Sequence, residues 1–418
     1  MLGQMKSRER VLTALNHIEP DMVPIDFGGS KISGIMAVAY NKLKEYLNFK
    51  GGQTTLYDIK QQLAEPHPEL IKLMGGDVIQ LCRLKPTTGM EIKVDRWKKG
   101  KLSNGEECLV PEEYCPVKGK NERLEIWEDG NLVAFLLKGG IYFENVYTPL
   151  ANVSTHKDID NYSWPEITEE ESDFLRAGAK KLFYETDFAI LGALGTFGGS
   201  FFEIGHLLFG YENFLLKLII DRDLIEYFLD KLLENYLENT KKYLEIVGKY
   251  VHIIQLNDDF GSQDNLLISP ILYREIFKPR QAKLIEFIKK NSKAFIFLHS
   301  DGSIKEIIPD LIEIGVDIIN PVQTSAKEMD PRKLKTEFGK YITFWGGGID
   351  TQITLPFGSL EDIEKEVKER IGIFAPGGSY VFCPIHNIQA DIPPEKIITV
   401  FETAKKMRKY PIDISETR

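Results

Sequence analysis

The sequence predicts an α/β protein of the (β/α)8 TIM barrel class, with an antiparallel β insertion after the second strand. Three observations carry this prediction. Eight short β-type runs recur along the chain, each ending in a polar or glycine-rich tip, and helical stretches separate them. Most of these runs are continuously apolar rather than alternating, the pattern of parallel strands buried on both faces. One segment, 84–150, breaks the rhythm with hairpin signals. A doubly wound open sheet uses the same units. No dinucleotide fingerprint follows an early strand, however, because Gly28-Gly29-Ser30 lacks the third glycine and the later acid.

The elements follow in order. Met22–Phe27 is the first run, tipped by Gly28 and Gly29, and Asp77–Leu81 is the second. The insertion then holds β-type runs at Glu91–Trp97, Leu124–Glu128 and Leu132–Leu137, with Lys-Lys-Gly and Glu-Asp-Gly turns; Glu128-Asp129-Gly130 marks a hairpin. Phe188–Ala193 is the third barrel run and ends in the loop 194–199. Leu224, Phe228, Leu232, Tyr236 and Leu237 line one face of a helix over about 221–246. Val251–Leu256 is tipped by Asn257-Asp258-Asp259, and Ala294–Leu298 by His299-Ser300-Asp301-Gly302. Ser303 and Glu306 have capping-box spacing, and Pro309 kinks or restarts the helix that follows. Asp317–Ile319 is tipped by Asn320, and Ile342–Trp345 by Gly346-Gly347-Gly348. Ser359 and Asp362 open a helix that runs to about 374. Tyr380–Phe382 is tipped by Cys383, and Pro393 and Pro394 suit the first turn of a final helix. Residues 1–418 are therefore read as a single barrel domain containing the insertion.

Charge and composition exclude several functions. The 418 residues carry a net charge of −10, from 52 basic and 62 acidic side chains, with no basic cluster. This excludes nucleic acid and anionic membrane surfaces as natural partners. Four cysteines without a CxxC pair point to a reducing compartment. The N-terminus has no apolar h-region, and no run approaches the roughly 20 apolar residues that span a bilayer. The expectation is a soluble, cytoplasmic protein.

Barrel function sits where strands end. The tips collect Asp26, Asn257, Asp258, Asp259, His299, Asp301, Asn320, Gln323, Asp350, Cys383, His386, Asn387 and Gln389. Such a mouth, poor in arginine, favours a neutral or cationic ligand, or a metal. His299, Asp301 and Cys383 are candidate metal ligands after the fifth and eighth strands, an open three-ligand set suited to Zn²⁺. The alternative is a buried Cys383 beside an ordinary His299–Asp301 hydrogen bond. Adjacent strand-end residues face opposite ways, so one of Asp258 and Asp259 points into the mouth for acid–base chemistry, and capping the next helix is the other use. With these two, His299 completes the candidate catalytic set. Asp26, Asn257, Asn320, Gln323, His386 and Asn387 are candidate substrate contacts. The three glycines either admit a ligand or make a tight turn, the turn being the commoner use.

Five stretches carry a family likeness: SRERVLTALNHIEPDMVPIDFGG (7–29), LNDDFGSQDNLLISP (256–270), FLHSDGSIKEIIPDLIEIGVDIINPVQ (297–323), FWGGGIDTQITLPFG (344–358) and FCPIHNIQADIPPEKI (382–397). On these the chain resembles the uroporphyrinogen decarboxylase superfamily, in particular its corrinoid-linked methyltransferase-like branch. The resemblance implies a (β/α)8 barrel. The family's decarboxylases hold a polycarboxylate porphyrinogen with arginines after the first strand, but this chain has no arginine between Arg10 and Arg83. The methyltransferase branch carries a zinc motif, His-x-Cys with a distant second Cys. His299 and Cys383 match its outer ligands, and Asp301 stands at the middle one. A carboxylate there leaves the metal more electrophilic and suits polarising an oxygen better than activating a thiol.

The resemblance thus implies metal-assisted methyl transfer from a small donor, O-methyl by preference, to a corrinoid (cobalamin) on a separate carrier protein. The alternatives are a carboxy-lyase acting on another substrate, and a non-catalytic binder of a tetrapyrrole or small molecule. The 84–150 insertion is expected to dock the carrier or cover the mouth, or else to pack on the barrel or form a homodimer contact.

Overall fold

The computed structural model describes residues 4–194 and 197–413. Seven parallel strands form one curled sheet, each hydrogen-bonded to its neighbours in chain order. They are β1 (Val78–Leu81), β2 (Ala189–Ala193), β3 (Ile253–Asn257), β4 (Phe295–His299), β5 (Ile318–Asn320), β6 (Thr343–Trp345) and β7 (Tyr380–Val381). Four lie within the expected runs, and β3, β4 and β5 each extend one residue further, to the tip residues Asn257, His299 and Asn320. The loop 194–199 expected after β2 includes residues 195 and 196, which lie outside the described residues.

The remaining run, Met22–Phe27, sits between β7 and β1 but is not a strand. It makes a single parallel bridge, Ile25 to Phe382. Hydrogen bonds still close the ring. Asp26 N donates to Phe382 O (2.8 Å), Phe382 N to Pro24 O (2.9 Å), and Asp77 N to Ile25 O (2.7 Å). A regular ladder fails because Pro24 has no N–H and because the Ile25 N–H goes to the Asp77 carboxylate (3.1 Å). The architecture is the expected TIM-type barrel, with one seam reduced to bridges.

Inward-facing residues fill the barrel. Val78, Ala189, Leu191, Ile253, Phe297, Ile318, Trp345, Val381 and Cys383 form a continuous buried cluster drawn from every strand. This interior is packed solid, so a ligand is confined to the mouth. A second, larger cluster lies between the strands and the surrounding helices. The helix expected at 221–246 is Arg222–Val247, with Leu224, Phe228, Leu232 and Tyr236 buried. Ser359 and Asp362 form the expected capping box of the helix Leu360–Phe374.

Ser303 does not cap a helix, because its hydroxyl donates to Lys327 O at 2.7 Å. A 3-10 turn, Lys305–Ile307, follows it, and the α-helix restarts at Ile308 with Pro309 in its first turn. Pro394 opens the last helix.

The insertion leaves the barrel after β1. It contains the hairpin Trp97–Lys101/Glu107–Pro111 and a four-stranded antiparallel sheet around Leu124–Glu128 and Asn131–Leu136. Asp129 and Gly130 both have positive φ, the conformation of a tight hairpin turn. The run expected at Glu91–Trp97 is displaced. The strand begins at Trp97, and Lys98-Lys99-Gly100 lies within it rather than turning. Gly100 pairs there with Cys108, and its missing side chain makes room for Val110. A short pair, Leu56–Asp58 with Leu63–Ala64, has no counterpart in the expected pattern.

Candidate functional site at the barrel mouth

Asn257, His299 and Asn320 are partnered across β3, β4 and β5, so these three tips reach the same level of the mouth. Above them lies a cavity of about 140 Å³. Asn257, Asp259, His299, Asp301 and His386 line it, together with Lys31, Asp58, Lys60, Gln61 and Glu203. The insertion contributes Thr88 and Asn145 to its wall.

His299, Asp301 and His386 converge there, with one ligand atom of each lying within 4.8 Å of the others. Both imidazoles are held by an asparagine. His299 Nδ1 lies 2.6 Å from Asn320 Oδ1, while Asn320 Nδ2 donates to Trp345 O at 2.8 Å. His386 Nδ1 lies 2.7 Å from Asn387 Oδ1, while Asn387 Nδ2 donates to Lys31 O (3.1 Å) and Gln61 Oε1 (2.9 Å). Each amide is thus oriented by its own donors, so each imidazole places its proton on Nδ1 and its lone pair on Nε2. His299 Nε2 faces Asp259 Oδ1 and Asp301 Oδ2, each at 3.8 Å, beyond hydrogen-bond reach.

Two nitrogen lone pairs and a carboxylate around one gap fit Zn²⁺ or a similar divalent ion, and the carbonyl on the far nitrogen is the usual support of a metal-bound histidine. His386 adopts φ 129°, rare for a residue with a side chain.

Loop packing sets the carboxylates. Asp301 N donates to Asp259 Oδ1 at 2.9 Å. Gly302 has φ +82°, and a Cβ on it would lie 2.5 Å from Gly261 C, so only glycine lets these two tips approach. Gln323 Oε1 accepts from Gly302 N (2.8 Å), and its Nε2 donates to Gln263 (2.9 Å). Gln323 is therefore a loop tie rather than a substrate contact.

Several expected roles change. Cys383 is not in the metal cluster. It is fully buried in the barrel interior, and burial followed by the Asp26 carboxylate pushes its thiol well above the ordinary range. His386 stands in its place beside His299 and Asp301. Asp258, an expected catalytic residue, does not face the cavity. It is fully buried and accepts from Ser200 Oγ, from the backbone N–H groups of Phe201, Phe202 and Glu203, and from Gln281 Nε2. It caps the helix Phe202–Phe209, and burial raises its pKa to about 7 against these donors. Of the expected pair, Asp259 alone faces the cavity.

Asp26 is also buried, accepting from Gly29 N (2.7 Å) and Trp345 Nε1 (2.9 Å), so it closes the seam rather than touching ligand. Asn320 and Asn387 act through their histidines. Asp350 caps its own loop through Gln352 N and Ile353 N. Gly346 serves the turn, since a Cβ there would meet Pro321 O at 2.1 Å.

Sequence reasoning missed Glu203, Lys31 and Lys60. Burial, then the Asp259 and Asp258 charges, push Glu203 up to about 8, with Lys60 opposing. Burial, then Lys31, lower Lys60. Lys31 adjoins the Gly28-Gly29-Ser30 tip and Glu203 opens the helix after β2, so both were findable as tip neighbours. Lys60 lies in a segment with no strand or helix pattern. The two lysines give the arginine-poor mouth two cations that its expected preference for a neutral or cationic ligand did not include. Arg10 and Arg83 stand elsewhere, tied to Asp21 and Asp77 and to Glu171 respectively.

The insertion is bound to the site. Tyr142 OH donates to Asn387 Oδ1 (2.9 Å) and accepts from Gln389 Nε2 (2.8 Å). The insertion thus supports the amide that orients His386.

A parallel α/β barrel with a polar, histidine-bearing cavity at its C-terminal mouth is the architecture of a barrel enzyme family. The chain belongs to the uroporphyrinogen decarboxylase (URO-D) family, whose model matches residues 149–407. That match begins at the end of the insertion and includes β2 to β7. Among solved structures, a methyltransferase from Methanosarcina mazei is similar in fold, with a TM-score of 0.60 and 16% identity, over 96% of this chain and 99% of that one. A GH113 β-1,4-mannanase complex covers 56% of this chain and 93% of its own at 14% identity, but its TM-score of 0.27 bears no argument. No curated protein sequence matches. Among the described residues, no helix is long and apolar enough to cross a membrane.

Proposed function

We propose that this chain is a metal-assisted methyltransferase that moves a methyl group from a small O-methylated donor to a corrinoid on a carrier protein. The observation that carries the reading is the pair of asparagine-oriented histidines, their Nε2 lone pairs turned with Asp301 into one cavity. The fold shared with a methyltransferase supports it, as does membership of the URO-D family. His299, Asp301 and His386 would hold the ion, which when bound supplies Lewis-acid polarisation of the donor oxygen.

The chain's own groups do the rest. Asn320 and Asn387 keep the imidazoles in the ligating tautomer. Asp259 and Asn257 orient the donor. Glu203, protonated at neutral pH, gives its carboxyl proton to the oxygen as the methyl group leaves. The narrow cavity keeps bulk water from the reacting atoms.

Metal analysis of protein purified without chelator, paired with an assay for methylcobalamin formed from cob(I)alamin and methoxylated donors, tests this. The expected result is one divalent ion per chain and transfer that chelator abolishes. Absence of metal, or chelator-indifferent release of carbon dioxide, would replace it with the carboxy-lyase reading that the family name favours.

A further inference from the structure

We infer that the mouth cavity takes a small carboxylate-bearing substrate, its anionic group held between the ammonium groups of Lys31 and Lys60. The placement of its methylated oxygen toward His299, Asp301 and His386 rests on the methyl-transfer reading; the anion site does not.

Lys31 and Lys60 line the same cavity as the histidine cluster. Each lysine depends on tertiary structure to get there, Lys31 on the loop after the closing segment and Lys60 on the turn between Leu56–Asp58 and Leu63–Ala64. Both lysines are half-buried, and among the described residues neither Nζ has a hydrogen bond or an ion pair, whereas charges such as Arg10, Arg83, Lys278 and Arg280 are paired. Like charges in a shared, partly desolvated pocket favour an anion between them, and here the nearby carboxylates of Glu203, Asp58 and Asp259 offset part of that demand. Burial and then Lys31 lower the pKa of Lys60, with the carboxylates of Glu203, Asp58 and Asp259 opposing.

The carboxylates of the pocket have other engagements. Asp58 Oδ1 accepts from Gln61 N (2.8 Å), Asp259 Oδ1 accepts from Asp301 N (2.9 Å) and Asp301 Oδ2 faces His299 Nε2 (3.8 Å), so among the described residues none of these three carboxylates forms an ion pair with either lysine. Ile32, Phe197, Ile204 and Leu207 give the wall an apolar patch beside the neutral polar side chains of Gln61, Thr88, Asn145, Ser200 and Asn257. A ligand matched to this cavity has a carboxylate at one end, a small apolar body and a polar heteroatom at the other. A cavity of about 140 Å³ excludes a tetrapyrrole with its many carboxylates.

The test is calorimetric titration of the full chain, zinc-loaded and chelator-treated, with acetate, butyrate, benzoate and 4-methoxybenzoate, each beside its primary amide, and with inorganic phosphate. At least one carboxylate is expected to bind about tenfold or more tighter than its amide, the scale of one charge-assisted hydrogen bond. Lys60→Met and Lys31→Met are expected to remove that preference while leaving amide affinity and metal content unchanged. Lys60→Arg keeps the charge and should keep the preference, which covers a methionine variant that does not fold.

Carboxylates no tighter than their amides, a preference that survives Lys31→Met/Lys60→Met, or phosphate binding in place of carboxylate would each overturn the assignment. So would carboxylate binding that disappears with chelator and ignores the lysines, because the anion would then sit on the metal. Carboxylate binding without methyl transfer would instead sink the proposed activity and leave the anion site standing.

Discussion

His299 offers Nδ1 to Asn320 Oδ1 at 2.6 Å, and Asn320 is locked in that orientation by donating Nδ2 to Trp345 O at 2.8 Å. One amide between two strand ends thus decides which imidazole nitrogen faces the cavity. Asn320→Leu removes the acceptor while keeping the size. It is expected to weaken zinc binding about 10- to 100-fold with the fold retained, as for lost supports of metal-bound histidines. Competition against a chromophoric chelator measures this, and unchanged affinity would refute the orienting role.

His386 rather than Cys383 stands with His299 and Asp301, and metal content distinguishes the two ligand sets. His386→Ala and His299→Ala are each expected to abolish stoichiometric zinc. Cys383→Ala should retain one ion per chain, since the thiol packs in the barrel interior. Elemental analysis of the three purified variants decides it. Zinc lost from Cys383→Ala but kept in His386→Ala would restore the original ligand set.

Asp258 is a helix cap, so its replacement costs stability rather than metal. Asp258→Ala strands three backbone N–H groups, a hydroxyl and an amide in a dry site. A loss on the order of 3 kcal/mol is expected in denaturant unfolding, from buried donors left without an acceptor. Zinc content of the folded fraction should match the wild type. A stable Asp258→Ala protein without turnover would return this residue to the catalytic set.

Glu203 makes stability depend on pH. Its folded pKa of about 8 lies above the ordinary 4.5. The folded state therefore holds a proton that the unfolded chain releases from about 4.5 upward. The stability contributed is full below 4.5 and is lost as pH rises through about 8. Glu203→Gln keeps the neutral shape without the titration. The melting temperature of the wild type, in chelator, should fall relative to Glu203→Gln between pH 4.5 and 8. Parallel profiles would mean that Glu203 titrates normally.

Much of the fold was legible because it rests on local pattern. Continuous apolar runs can be satisfied only inside a parallel sheet covered by helices, and seven of the eight runs are strands. The closing segment was legible in place but not in form, because Pro24 and the Asp77 carboxylate remove ladder hydrogen bonds. Asp129-Gly130 announced its hairpin. Lys98-Lys99-Gly100 misled, because a glycine that makes room for a cross-strand valine looks like a turn.

The site was legible as a location and only partly as a set of roles. His299, Asp301, Asp259, Asn257 and His386 were named from strand tips and do line the cavity. Asp258 and Asp26 have the same chemistry and similar positions, yet the structure turns both inward to neighbouring N–H groups.

The sequence by itself determined the parallel barrel, the insertion after its second run and the ring of tips where chemistry sits, because apolar periodicity and turn residues act over a few neighbours. Only the tertiary structure decided which tip groups share a cavity. It placed His386 rather than Cys383 beside His299 and Asp301, and it brought in Glu203, Lys31 and Lys60. Those outcomes depend on side-chain direction and on contacts between segments far apart in the chain, which no local pattern encodes.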